Sequence, residues 1–272
     1  MRTHRISPDV SLLSDTAQVP GLGFLPVNAF VLHAEQPVVV DTGLSTAGKD
    51  FVSDLGRVID PADVRWVWLT HPDRDHTGGL FDLLDAAPHA RVVTTFIGVG
   101  ILACERQLPL DRVFLLNPGQ SLDVGDRLLT GYRPPLYDNP ATVGFLDRKS
   151  GSFFSSDCFG GPMSSSEIAT SGDVRAVGDS DHEAAQLMWA AIDSPWVHSV
   201  DRDKYLASIH TIESLNPAAM FSTHLPPAIG INDKLFSTIA AAVDGPEFVG
   251  PDQQALEAML AKFEPPAPRS MA

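Results

Sequence analysis

The sequence has only two cysteines, Cys104 and Cys158, and no CxxC pair. That excludes a disulfide framework and a thiolate zinc site, and each cysteine is expected as a reduced, buried thiol. Nowhere do about 18 consecutive apolar residues occur, as a membrane-spanning helix would need. The opening Met1-Arg2-Thr3-His4-Arg5-Ile6-Ser7-Pro8 has no apolar run of the secretory kind, so a soluble, cytoplasmic protein is expected. Lys/Arg clusters are also missing from a chain whose formal net charge is −15. Nucleic acid and other strongly anionic partners are therefore disfavoured, and a small-molecule substrate is favoured. GxSxG, P-loop and dinucleotide-binding glycine motifs are absent as well, which removes three common catalytic plans.

The composition, 44% apolar and 19% charged over 272 residues, is that of a globular chain with room for a sizeable core. No repeat divides it. We expect one domain over residues 1–262 and a loose Pro-rich tail over 263–272.

The densest chemistry lies in Leu69-Thr70-His71-Pro72-Asp73-Arg74-Asp75-His76-Thr77-Gly78-Gly79. It follows Val64-Arg65-Trp66-Val67-Trp68, which reads as a buried strand, and leads into Leu80, Leu83 and Leu84 at helical spacing. Two imidazoles and two carboxylates thus fall on a strand-to-helix turn. On a turn such side chains can converge on one point, as a metal requires, whereas a strand would spread them along a row. A plain helix cap at Asp75 or Thr77 would need no histidines.

Strand patterns before this turn cover Val10–Leu13, Val27–Leu32 and Val38–Val40, the last ending at Asp41-Thr42-Gly43. Helical spacing covers Lys49–Val58 and the neighbourhood of Val99–Glu105. A second set of strands covers 113–116, 121–124 and 128–132. The hairpin Val143–Leu146/Ser152–Ser156 then delivers Asp157 at a strand end. Residues 161–178, rich in Ser and Gly, read as a flexible loop that can lie over a site mouth. Helical patterns follow at Glu183–Trp196 and 205–215. Ala218–Thr223 is a short apolar strand ending at His224, and helical segments at 233–243 and 252–262 close the chain. Two β-rich halves, each followed by helices, fit two stacked sheets flanked by helices. Trp189 and Trp196 on acidic helices make a homodimer reasonable, while His182, His198 and His210, on or near these helices, are not expected as ligands, His182 and His198 being within reach of an adjacent site mouth.

The segment His71-x-Asp73-x-Asp75-His76 resembles the His-x-His-x-Asp-His motif of the metallo-β-lactamase fold superfamily, with Asp73 in place of the second His. A carboxylate there, together with Phe154-Ser155-Ser156-Asp157-Cys158-Phe159-Gly160, is most similar to the flavodiiron, oxygen-binding di-iron branch. No flavodoxin domain is recognised after residue 262. The resemblance implies an α/β fold, specifically an αββα four-layer sandwich, with Asp41 supporting the metal loop.

It also implies two divalent metal ions, zinc or iron with manganese possible. One would be held by His71, Asp73 and Asp157, the other by Asp75, His76, Asp157 and His224. The loop Arg133–Thr142, where the family supplies a further His, has none; Arg133 or a backbone group is one candidate for that space, and a stiff Pro-rich loop without a role is the other.

Two activities follow from this resemblance. The first is hydrolysis of a small substrate by metal-bound hydroxide, with Asp75 orienting the nucleophile and Arg133 holding a substrate anion. The second is a di-iron centre that binds or reduces oxygen or nitric oxide.

Overall fold

Strand side chains alternate between two faces, and here the alternation sorts the apolar residues into three layers of core. The computed structural model describes residues 1–44 and 50–263. Strands β1 (Arg2–Arg5), β2 (Val10–Val19), β3 (Gly23–Leu32), β4 (Val38–Val40), β5 (Trp66–Trp68), β6 (Arg91–Thr94) and β7 (Val113–Leu115) lie side by side in that order as one sheet. β1 to β4 pair antiparallel and β4 to β7 parallel. Strands β8 (Ser121–Asp123), β9 (Leu128–Tyr132), β10 (Gly144–Asp147), β11 (Ser152–Phe154), β12 (Ala219–Phe221) and β13 (Ala228–Ile229) form the second sheet, also in sequence order.

Trp66, Trp68, Val38, Val40, Leu12 and Phe30 of the first sheet meet Leu129, Phe145, Phe154 and Phe221 of the second in the central core. The intervening residues Val67, Val39, Leu13 and Ala29 face the opposite way, under helices α1 (Phe51–Leu55), α3 (Leu80–Ala86) and α4 (Phe96–Leu102). A further helix, α2 (Arg74–Thr77), is a single turn between β5 and α3. On the far side, Phe153 and Met220 lie under α6 (Asp179–Asp193), α7 (Arg202–Glu213) and α8 (Asn232–Ala241), with α5 (Ser166–Ala169) preceding them and α9 (Gln253–Phe263) following. Helices, sheet, sheet and helices make the expected αββα sandwich.

Several boundaries differ from expectation, each with a local cause. α4 starts at Phe96 rather than Val99 because Thr95 caps it, its hydroxyl accepting the Gly98 N–H at 3.0 Å. α6 stops at Asp193, before Ser194-Pro195, since a proline restrains the preceding residue from helical geometry. Residues 161–178 are more structured than the expected loop. They hold α5 and a helical turn at Val174–Ala176, and Met163 pairs with Phe24 of β3 through backbone bonds of 2.9 and 2.8 Å. Cys158 is buried as expected, but Cys104 is exposed. Lys49 and the tail from 264 lie outside the described residues. Among the described residues no helix is long and apolar enough to cross a membrane.

A buried cation joins the two sheets at one end. The Arg127 guanidinium donates to Asp9, at the start of β2, at 3.0 Å and to Asp147, at the end of β10, at 3.1 Å. The Asp147 side chain is wholly buried.

Candidate metal centre

The site forms where strands of both sheets end on the same side. β5 runs into the turn that carries His71, Asp73, Asp75 and His76, β11 ends before Asp157, and β12 ends before His224. Three non-glycine residues here have left-handed backbone, Asp41 and Ser156, both with φ near 56°, and Phe159, with φ 72°. That costs about 1–3 kcal/mol each, and such conformations persist where surrounding contacts fix them. Gly160 is required for space, because a Cβ there would stand 2.5 Å from Cβ of His224.

Each imidazole is held through Nδ1. His76 donates to Asp41 at 2.9 Å, and His224 donates to the Pro26 carbonyl at 2.7 Å. A carboxylate and a carbonyl only accept here, so the proton sits on Nδ1 in both rings. Ser156 donates to the Thr70 hydroxyl at 2.9 Å, which itself donates to Asp41 at 2.7 Å; the Ser156 oxygen is then left to accept from His71 Nδ1 at 3.0 Å. Asp41, fully buried, also accepts the Thr70 N–H at 2.8 Å. All three Nε2 lone pairs are thereby presented inward.

They converge on Asp157. Oδ2 lies 3.3 Å from His71 Nε2, and Oδ1 lies 3.0 Å from His76 Nε2 and 3.2 Å from His224 Nε2. Yet His76 Nε2 and Asp157 Oδ1 are both buried without a hydrogen bond. Two buried polar atoms facing a common point without a hydrogen bond are what a cation would satisfy, its arrival displacing the proton that the surrounding carboxylates otherwise hold on His76. Asp75 Oδ2 closes one side, 3.4 Å from His224 Nε2 and 3.7 Å from His76 Nε2. Asp73 Oδ2 lies 3.8 Å from His71 Nε2, its other oxygen accepting from Asn139 Nδ2 at 2.9 Å.

Sequence reasoning missed one candidate donor. Asp138 Oδ1 stands 3.7 Å from His71 Nε2, grouped with His71 and Asp73. It was detectable in principle, being the only His, Cys, Asp or Glu between Arg133 and Thr142. The expectation for Arg133 is corrected: its Nη1 donates to the Pro140 carbonyl at 2.9 Å and its guanidinium lies over the Tyr137 ring, so it does not fill that space. Asp193, at the end of α6, was also unforeseen; a carboxylate oxygen of it groups with those of Asp138 and Asp157 within 4.8 Å.

The electrostatics follow from this crowding. Burial opposes a charge on His76, but Asp157, Asp41 and Asp75 outweigh it and hold its pKa well above the usual imidazole value. Burial likewise opposes ionisation of Asp157, and the three histidines overcome it and keep it a carboxylate. Burial, then the charges of Asp157 and Asp138, push Asp193 up to about 9. Burial raises Asp138 too, against the pull of His71.

Residues 22–224 match the family described as Metallo-beta-lactamase superfamily. The chain belongs to that superfamily. Among solved structures, the rubredoxin oxygen:oxidoreductase of Desulfovibrio gigas is similar with a TM-score of 0.75 at 18% identity, over 89% of this chain and 61% of that one. The flavodiiron protein of Giardia intestinalis gives 0.74 at 15%, over 90% and 60%. These likenesses establish the fold, which matches the lactamase-like core of flavodiiron proteins. In sequence, the chain is 28% identical over 134 residues to a putative diflavin flavoprotein A 1 of Thermosynechococcus vestitus, covering 49% of this chain and 23% of that protein. It is 25% identical to an anaerobic nitric oxide reductase flavorubredoxin of Salmonella typhi, covering 49% and 28%. The chain thus spans well under two thirds of the length of these relatives.

Proposed function

We propose that this superfamily domain holds two iron ions and serves as the oxygen- or nitric-oxide-reducing centre of a flavodiiron-type system. The observation that carries this reading is the donor set. Three imidazoles and four carboxylates surround one buried aspartate whose two oxygens face different histidines. Imidazole with several hard carboxylates suits iron or manganese better than a soft, thiolate-rich site would. The names of the relatives, nitric oxide reductase and oxygen:oxidoreductase, support redox chemistry over the hydrolysis of a small substrate, for which superfamily membership alone speaks.

His71, Asp73 and Asp138 would hold one ion and Asp75, His76 and His224 the other, with Asp157 between them. Bound iron would supply the site for a diatomic molecule and the means of passing electrons to it. Asp41 fixes the His76 ring, Asn139 fixes Asp73, and the Ser156–Thr70 pair fixes His71. Burial and the charges of Asp157 and Asp138 push Asp193 up to about 9 in the metal-free site, so it would be placed to hold a proton beside them. Electrons require a donor, another domain or another protein.

Protein purified anaerobically without chelators and analysed for metals tests this directly. Two irons per chain, with oxygen or nitric oxide consumed in the presence of a reductant, is the expected result. Zinc at both positions, with no consumption after iron loading, would overturn the proposal and return hydrolysis to the front.

A further inference from the structure

A sizeable cavity among the described residues lies beside the metal centre rather than in it. It has a volume of about 580 Å³ and is lined by the loop around Arg133–Tyr137, Trp196 and one face of α7. That volume falls within the range of small-molecule sites, roughly 300–1,000 Å³. Tyr137, which forms part of its wall, is followed in the chain by Asp138. Cavity and metal centre therefore share one loop.

The walls are aromatic. The Tyr137 and Trp196 rings lie 5.0 Å apart at 46°, and Trp196 and Tyr205 lie 6.5 Å apart at 81°. Polar handles of two of these rings are already engaged: Trp196 Nε1 donates to the Tyr137 carbonyl at 2.7 Å, and the Tyr205 hydroxyl donates to Ile239 O at 2.7 Å. What these two offer a ligand is their apolar surface, suited to a flat hydrophobic body.

Two cations border this surface in a chain whose net charge is −15. Arg133 donates Nη1 to the Pro140 carbonyl and lies over the Tyr137 ring, and among the described residues its guanidinium has no carboxylate partner. The Lys204 ammonium has no ion pair among the described residues either. The acidic residue of the lining, Asp201, is turned to the start of α7, where its carboxylate accepts the Lys204 backbone N–H at 3.0 Å. Stacking surface with two unpaired cations matches a ligand that is apolar and aromatic at one end and carries a carboxylate at the other, since guanidinium and carboxylate pair through charge-assisted hydrogen bonds.

We propose that this cavity is a binding site for a small aromatic carboxylate, its ring against Trp196 and Tyr205 and its carboxylate at Arg133 and Lys204. The inference rests on the cavity and not on which metals the centre holds or what they catalyse. Calorimetric titration of the full chain with 2-naphthoate and with its neutral isostere 2-naphthamide tests it. One equivalent of naphthoate should bind, at least about tenfold more tightly than the amide. Arg133→Gln and Lys204→Gln should each reduce that preference and together remove it, while leaving amide binding unchanged. Thr211→Trp, at an exposed position of the lining, should block both ligands. No binding of either compound, equal affinity for the two, a preference that survives the double substitution, or binding undiminished in Thr211→Trp would each overturn the proposal.

Discussion

Asp138 Oδ1 lies 3.7 Å from Nε2 of His71, grouped with Asp73 of the turn. A short carboxylate on a Pro-bounded loop thus stands where the superfamily motif leads one to look for an imidazole. Asp138→Ala should weaken the ion at His71 and Asp73 by at least about tenfold, since even groups that only support a metal ligand are worth 10–100-fold. Asp138→His should restore binding and shift preference toward zinc. Metal content per chain after dialysis against a weak chelator reads both; unchanged iron occupancy in Asp138→Ala would remove this residue from the donor set.

Asp41 touches no proposed metal position, yet it fixes His76 through Nδ1 and anchors Thr70 twice. Asp41→Ala should lower metal affinity about 10–100-fold. Competition with a coloured chelator measures this, and wild-type affinity in the variant would mean that packing alone orients His76.

Arg127 is the buried cation between the sheets, and Asp147 has no exposure of its own. Arg127→Met leaves that carboxylate uncompensated and should cost about 3–5 kcal/mol, as for other broken buried pairs. Combining it with Asp147→Leu should recover much of the loss. Urea unfolding of the single and double variants decides; a single variant as stable as the parent would show that the pair contributes little.

Asn28 of β3 ties the first sheet to the segment bearing His224, donating to Ser222 O at 3.1 Å and Leu225 O at 2.7 Å while accepting from Ser14 at 2.7 Å. Asn28→Leu strands these buried groups at about 1–3 kcal/mol each. A loss of at least about 2 kcal/mol in denaturant unfolding, with weaker metal binding at His224, is expected. Loss of stability without loss of metal would separate the two roles.

Asp193 gives the pH dependence a sign. Its pKa is about 9 in the fold and near 4 when unfolded, so its protonated form favours the fold fully below about pH 4 and that contribution is lost as pH rises through 9. Chelator-treated protein should therefore lose thermal stability across that window more steeply than Asp193→Asn treated alike. Parallel melting profiles would contradict it.

How much of this was legible beforehand varied with the range of the interaction. The alternation in Trp66-Val67-Trp68 and Val38-Val39-Val40 and the local cluster His71-x-Asp73-x-Asp75-His76 are short-range patterns, and they fixed the layer architecture, the turn and four of the gathered side chains. Asp157 and His224, each at the end of an apolar strand, could be found because strand ends on one side of a sheet meet. Neither Asp138 nor Asp193 ends an apolar strand: one lies in a Pro-rich loop, where only its being the sole possible ligand residue marked it, and the other at a helix end. Only packing of α6 and the 133–142 loop against the strand ends brings their carboxylates within 4.8 Å of Asp157. Likewise Arg133 was a chemically reasonable candidate for the centre, but its stacking on Tyr137 draws it into the neighbouring cavity instead. Periodicity and spacing are properties of the chain taken a few residues at a time, so sequence determined the elements and the nucleus of the site. Which distant charges share its low-dielectric interior depends on how those elements pack, and the tertiary structure alone decided that.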